Sequence, residues 1–102
     1  MSLSKRLLAA TELVTKGNIV ADIGCDHAYT SIYLCSEGIA PRVFAMDVNK
    51  GPLLAAEQHV AEAGLKDKIT IRLSDGLAAL APGEADSILL CGMGGLLMMK
   101  IL

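Results

Sequence analysis

Four short apolar runs punctuate this chain: Asn18–Ile23, Arg42–Asp47, Lys68–Leu73 and Asp86–Cys91. Their length and bounding turn residues read as buried strands. Helix-length segments separate the first three. Ala28–Glu37 stops at Gly38; Pro52–Ala63 has proline near its first turn and Gly64 just past its end. Strands that alternate with helices form parallel pairs, because a hairpin joins only antiparallel ones. Right-handed crossovers then give strand order 3-2-1-4. The expected fold is α/β, a doubly wound parallel sheet with flanking helices.

Three further segments fit this plan. Leu3, Leu7, Ala10 and Val14 recur at helical spacing, which predicts an amphipathic helix over residues 3–15, stopped by Gly17. Residues 76–82 offer one to two turns, enough for a short crossover between the third and fourth strands. Leu96–Leu102, after Gly92-Met93-Gly94-Gly95, reads as the start of another helix.

Composition narrows the class. With 102 residues, 53% of them apolar and 20% charged, the chain has material for one small domain. A net charge of −2 provides no general basic field for nucleic acid. Met1 to Arg6 lack a signal pattern, and the apolar stretches are too short to span a bilayer. Cys25, Cys35 and Cys91 form no CxxC pair and read as reduced thiols, which points to the cytoplasm.

The strand ends carry the chemistry. They are marked by Asp22 and Gly24, by Asp47, by Asp75-Gly76 and by Gly92. In a parallel sheet these ends share one edge, where ligands bind. Turns favour Asp and Gly anyway, so one such position means little; four in succession point to a site. Asp47 follows Gly24 by about 20 residues, the usual spacing of an acid that holds ribose hydroxyls. The turn Asp22-Ile23-Gly24-Cys25-Asp26-His27-Ala28-Tyr29 lacks the GxGxxG pattern that brings backbone amides to a pyrophosphate, and Asp26 stands at the second glycine. Two carboxylates, Asp22 and Asp26, repel phosphate. They suit the ammonium and sulfonium of S-adenosylmethionine. Asp26 reads equally as an N-cap of the next helix.

Other residues have plainer readings. His27 and His59 lack metal-ligand spacing, so no metal site is expected. Met93, Met98 and Met99 read as core or covered surface, and Lys66-Asp67-Lys68 as a solvated loop. The glycines of Gly92–Gly95 form a tight turn or allow a planar base to approach the backbone, and amides at a following helix start could hold ligand.

Taken together, Ser4-Lys5-Arg6-Leu7, Ala21 through Tyr29, Asp47-Val48-Asn49-Lys50-Gly51-Pro52, Asp75-Gly76-Leu77 and Gly92-Met93-Gly94-Gly95 closely resemble the bacterial tRNA adenine-N1 methyltransferases that act on adenine 22. The resemblance runs nearly end to end. It implies a Rossmann-like class I methyltransferase sheet and S-adenosyl-L-methionine as methyl donor. It also implies site residues: Asp22 and Gly24 in the first cofactor turn, Asp47 on the ribose, Val48 beside adenine, Asp75 and Gly76 near the adenine ring and its amino group, Gly92 and Met93 facing the methyl, and Asp26 serving the reaction. Thr30 stands where an apolar residue is expected.

Members of that family continue further, with more strands and a helical C-terminal domain. The resemblance therefore makes residues 1–102 the N-terminal part of the methyltransferase domain, with the main tRNA grip beyond it. Lys5, Arg6 and Lys50 are the local candidates for phosphate contact. Strand four is expected to be an open edge, which invites pairing into a homodimer. Two other readings compete with a methyltransferase: an inactive fragment that binds cofactor or self-associates, and a nicotinamide-dependent oxidoreductase, which the missing GxGxxG disfavours.

Overall fold

A computed structural model describes residues 14–25, 28–76, 78–92 and 95–100. The elements, in order, are β1 (Val20–Ile23), α1 (Tyr29–Ser36), β2 (Val43–Asp47), α2 (Lys50–Glu62), β3 (Ile69–Leu73), β4 (Ser87–Gly92) and β5 (Gly95–Lys100). They form one sheet in the order β3-β2-β1-β4-β5. The first four strands are parallel in the expected order, with Ile23 opposite Met46 and Leu90, and Met46 opposite Arg72.

Alternation along the strands divides the core. Val20, Val43, Ala45 and Leu89 pack under the helices with Ile32, Leu34, Leu53, Ala56 and Val60. Ala21, Phe44, Met46 and Ile88 point to the other face. There the connection from β3 to β4 lays Ala79, Leu80 and Ala85 across them. No helix forms in that connection among the described residues; hydrogen-bonded turns replace the short crossover helix, with Ala78 N donating to Asp75 O at 3.1 Å and Glu84 N to Ala81 O at 3.1 Å.

Both helices stop where their glycines predict. After α1, Gly38 N donates to Cys35 O at 3.2 Å and Ile39 N to Leu34 O at 2.9 Å. After α2, Gly64 N donates to Ala61 O and Leu65 N to Val60 O, each at 3.1 Å. Each pair satisfies carbonyls that the last helical turn leaves unpaired, and each turns the chain back toward the sheet. Helix α2 begins two residues earlier than its proline implies, so Lys50 opens it.

The segment from Leu96 departs from expectation. It is not a helix: β5 pairs antiparallel with β4, from Ser87 opposite Lys100 to Gly92 opposite Gly95. A short apolar run carries no periodicity that separates strand from helix. Two residues between strands permit a hairpin, and the hairpin pairs the backbone of β4 on its second side. Strand four is thus paired by both β1 and β5. The open strand-four edge, and a homodimer formed through it, are corrected accordingly. No helix start follows Gly92–Gly95 to offer amides to a ligand. The helix predicted over residues 3–15 lies outside the described residues up to residue 13; Val14 is buried against the core.

Candidate functional site

Parallel register gathers the carboxyl ends of β1 to β4 along one edge. One row past Ile23, Met46, Arg72 and Leu90 come Gly24, Asp47, Leu73 and Cys91. The turn out of β1 stays tied to β2, because Gly24 N and Cys25 N both donate to Met46 O, at 2.8 and 3.0 Å. Gly24 has φ 74°, a left-handed conformation that costs a side-chain-bearing residue about 1–2 kcal/mol. Ala28 adopts the same region, φ 64° and ψ 19°, and caps α1 without a side-chain hydrogen bond. It is fully buried, and its amide donates to Cys25 O at 2.8 Å. The cap position is therefore Ala28 rather than Asp26. Its left-handed backbone went unread in the sequence, since it stands one residue before the place that a GxGxxG turn starting at Gly24 gives its last glycine.

Asp22 is 0% exposed. Its Oδ2 accepts a hydrogen bond from Ser31 Oγ at 2.7 Å, also fully buried. The carboxylate thus lies under the first turn of α1, where a negative charge complements the positive end of the helix dipole. Ser31 had no signal in the sequence beyond its place in an apolar helix.

Asp47 ends β2, and its Oδ1 accepts from Asn49 N at 3.0 Å. That bond fixes the turn into α2 and leaves Val48 60% exposed at the tip. Leu73, 48% exposed, ends the neighbouring strand. Apolar side chains at a polar edge suit the face of a planar ring. Asp75 and Gly76 are exposed on the turn that follows. Ser74 holds that turn: its N donates to Asp47 O at 2.9 Å, its Oγ donates to Gly76 O at 2.8 Å and accepts from Ala79 N at 3.0 Å. Gly92 ends β4 on the same edge. Lys50, exposed at the start of α2, borders it. Asp26, His27, Leu77, Met93, Lys5 and Arg6 lie outside the described residues.

The remaining chemistry-bearing groups stand apart. Burial pushes the Cys35 thiol up to about 11. His59 stacks on Tyr29, with ring centroids 4.9 Å apart, joining α1 to α2. No group of three or more His, Cys, Asp or Glu among the described residues could hold a metal ion. None of the helices among them is long and apolar enough to cross a membrane.

Asp47 and Asp75 are thus the acids that this edge presents toward solvent, with Val48 and Leu73 beside them, while Asp22, expected from the sequence to meet a cationic tail, is enclosed against Ser31. Residues 3–102 match the model of the methyltransferase domain. The chain is 41% identical over 102 residues to the tRNA (adenine(22)-N(1))-methyltransferase of Bacillus subtilis, covering all of this chain and 43% of that protein. The crystal structure of the B. subtilis m1A22 tRNA methyltransferase TrmK superposes with a TM-score of 0.87 at 41% identity, over 91% of this chain and 40% of that one. That of M. capricolum TrmK, solved with S-adenosyl-homocysteine, gives 0.84 at 36% identity, over 90% and 42%. The chain thus spans less than half the length of these relatives, and within that span it belongs to the methyltransferase domain family.

Proposed function

We propose that this chain is the N-terminal, cofactor-binding part of an S-adenosyl-L-methionine-dependent methyltransferase that modifies N1 of adenine 22 in tRNA, in the cytoplasm. The observation that carries the reading is 41% identity over the whole chain to the B. subtilis enzyme of that activity, with the strand-end acids on one sheet edge.

S-adenosyl-L-methionine, when bound, supplies a methyl group whose bond to sulfur breaks as a bond to adenine N1 forms, so positive charge passes from sulfur to the ring. The chain's residues act by positioning and by charge. Asp47 binds the ribose hydroxyls, and exposed Val48 stacks on the adenine. Asp75 and Gly76 sit beside the adenine amino group. Asp22 and Gly24 shape the turn under the methionyl end, and Gly92 and Met93 face the methyl. Asp26 accepts a hydrogen bond from the amino group of the target adenine and offsets the charge that develops there. N1 lies on the pairing edge, so the target base leaves its stack to react. Lys50 contacts tRNA phosphate, alongside Lys5 and Arg6.

Titration with S-adenosyl-L-methionine, paired with a tRNA methylation assay, tests the reading. Asp26→Asn is expected to lower methyl transfer far more than cofactor affinity; equal loss of both removes Asp26 from the reaction. A binding part without catalysis would take up cofactor and transfer nothing.

A further inference from the structure

Arg72 stands on the face of the sheet away from the helices, where several bonds hold its side chain. Its Nη1 donates to Ala79 O at 2.7 Å and to Glu84 Oε1 at 2.8 Å, and its Nη2 donates to Glu84 Oε2 at 3.2 Å. The guanidinium lies over the Phe44 ring, 4.8 Å from its centroid. Glu84 Oε1 also accepts from Ala81 N. Stacking and a two-pronged carboxylate bond both exploit the planar guanidinium, which lysine lacks.

This arrangement continues into the turn that bears Asp75. Ala79 is gripped twice, its carbonyl by Arg72 and its amide by Ser74 Oγ. The same Ser74 hydroxyl donates to Gly76 O. A path of hydrogen bonds therefore runs Glu84–Arg72–Ala79–Ser74–Gly76 and ends next to Asp75. The connection has no helix of its own among the described residues to stiffen it. Where regular backbone pairing is missing, side-chain bonds set the conformation.

We propose that Arg72, locked by Glu84 and Phe44, is a positioning residue for cofactor recognition: it sets the Ser74–Ala79 turn so that Asp75 meets the amino group of the adenine ring. This rests on the reading of Asp75 given above. The ligand contact is made by Asp75, and Arg72 acts through the turn.

Discrimination between adenine and hypoxanthine tests the assignment, because hypoxanthine replaces the amino group with a carbonyl. S-adenosylhomocysteine and S-inosylhomocysteine are titrated into the wild type, Arg72→Met and Glu84→Gln, with folding checked by circular dichroism. The wild type is expected to prefer the adenosine ligand by about tenfold or more, the scale of one hydrogen bond to a charged group. Arg72→Met is expected to bring that ratio to about twofold, and Glu84→Gln, which keeps the side-chain volume, to lower it part of the way. If Arg72→Met fails to fold, Glu84→Gln decides. Equal weakening of both ligands with the ratio preserved overturns the proposal, because a merely structural residue gives that result. A wild-type ratio near one overturns the reading of Asp75 as well. A wild-type preference retained in every folded variant overturns the proposal for Arg72 alone.

Discussion

The Ser31 hydroxyl donates a 2.7 Å hydrogen bond to Oδ2 of Asp22, and neither residue reaches solvent. One belongs to the first turn of α1 and the other to the second half of β1, so the bond ties the helix to the strand beneath the candidate cofactor turn. Removing one donor from a buried carboxylate takes away part of what offsets its desolvation. Ser31→Ala is therefore expected to lose about 1–3 kcal/mol of stability, read as a lowered urea midpoint. A midpoint unchanged from wild type would show that the bond contributes nothing.

Ala28 holds a left-handed backbone with its methyl group fully buried. Glycine relieves strain of about 1–2 kcal/mol but gives up roughly 0.8 kcal/mol of methyl burial and adds freedom to the unfolded chain. Ala28→Gly is expected to be within about 1 kcal/mol of neutral. Ala28→Val adds two methyl groups to a filled site and a branched side chain to a backbone that rejects it, so it is expected to cost about 2–4 kcal/mol. Thermal melts of the two variants measure the contrast. Equal effects would mean that Ala28 relaxes out of the left-handed region.

Hydrogen bonding to Arg72, and then to the Ala81 amide, holds the Glu84 carboxyl below its ordinary range. A depressed folded-state pKa makes a contribution that is present above the unfolded value and lost as pH falls through the folded one. Arg72 is raised further above an already high value, so it stays charged throughout. The melting temperatures of wild type and Glu84→Gln are thus expected to differ most near neutral pH and to converge in acid. A difference that stays constant below the carboxylate range would rule out the ion pair as its source.

Cys35 is 5% exposed, and burial lifts its thiol to about 11. A raised folded-state pKa favours the fold below the unfolded value of 9.0, and this contribution is lost as pH climbs from there toward about 11. At pH 8, labelling of Cys35 by iodoacetamide, located by mass spectrometry, is expected to be at least about tenfold slower in the native protein than in urea, because the thiolate is the nucleophile. Comparable rates would place the thiol in solvent.

Much of the fold was legible because its determinants are local. Three of the four parallel strands lie within their predicted runs, trimmed by one or two residues at the start, and β4 is shifted by one residue, to Ser87–Gly92, because apolar residues bounded by turn formers have few other solutions. Gly38 and Gly64 marked the helix ends through bonds that reach back only three to five residues. Asp47 was marked by chemistry and spacing; Val48 came only with the family resemblance, and its exposure beside Asp47 is visible only in the structure. The strand-end acids share an edge because parallel order puts every carboxyl end there.

Tertiary structure decided the rest, wherever the partner is distant in the chain or the local pattern is degenerate. Leu96 to Lys100 carry an apolar run that suits helix or strand, and the unpaired side of β4 selected the strand. Ala28 shows no outward sign of a left-handed backbone; the ties of Gly24 and Cys25 to Met46 impose the turn that requires one. Ser31 became a partner of Asp22 only when α1 folded back over β1, and Arg72 a partner of Glu84 only when the connection crossed the Phe44 face. By itself the sequence determined a parallel α/β sheet with acids along one edge, since periodicity and turn chemistry act over a few residues. Which groups hold those acids in place was settled by packing, which brings together residues that no spacing rule connects.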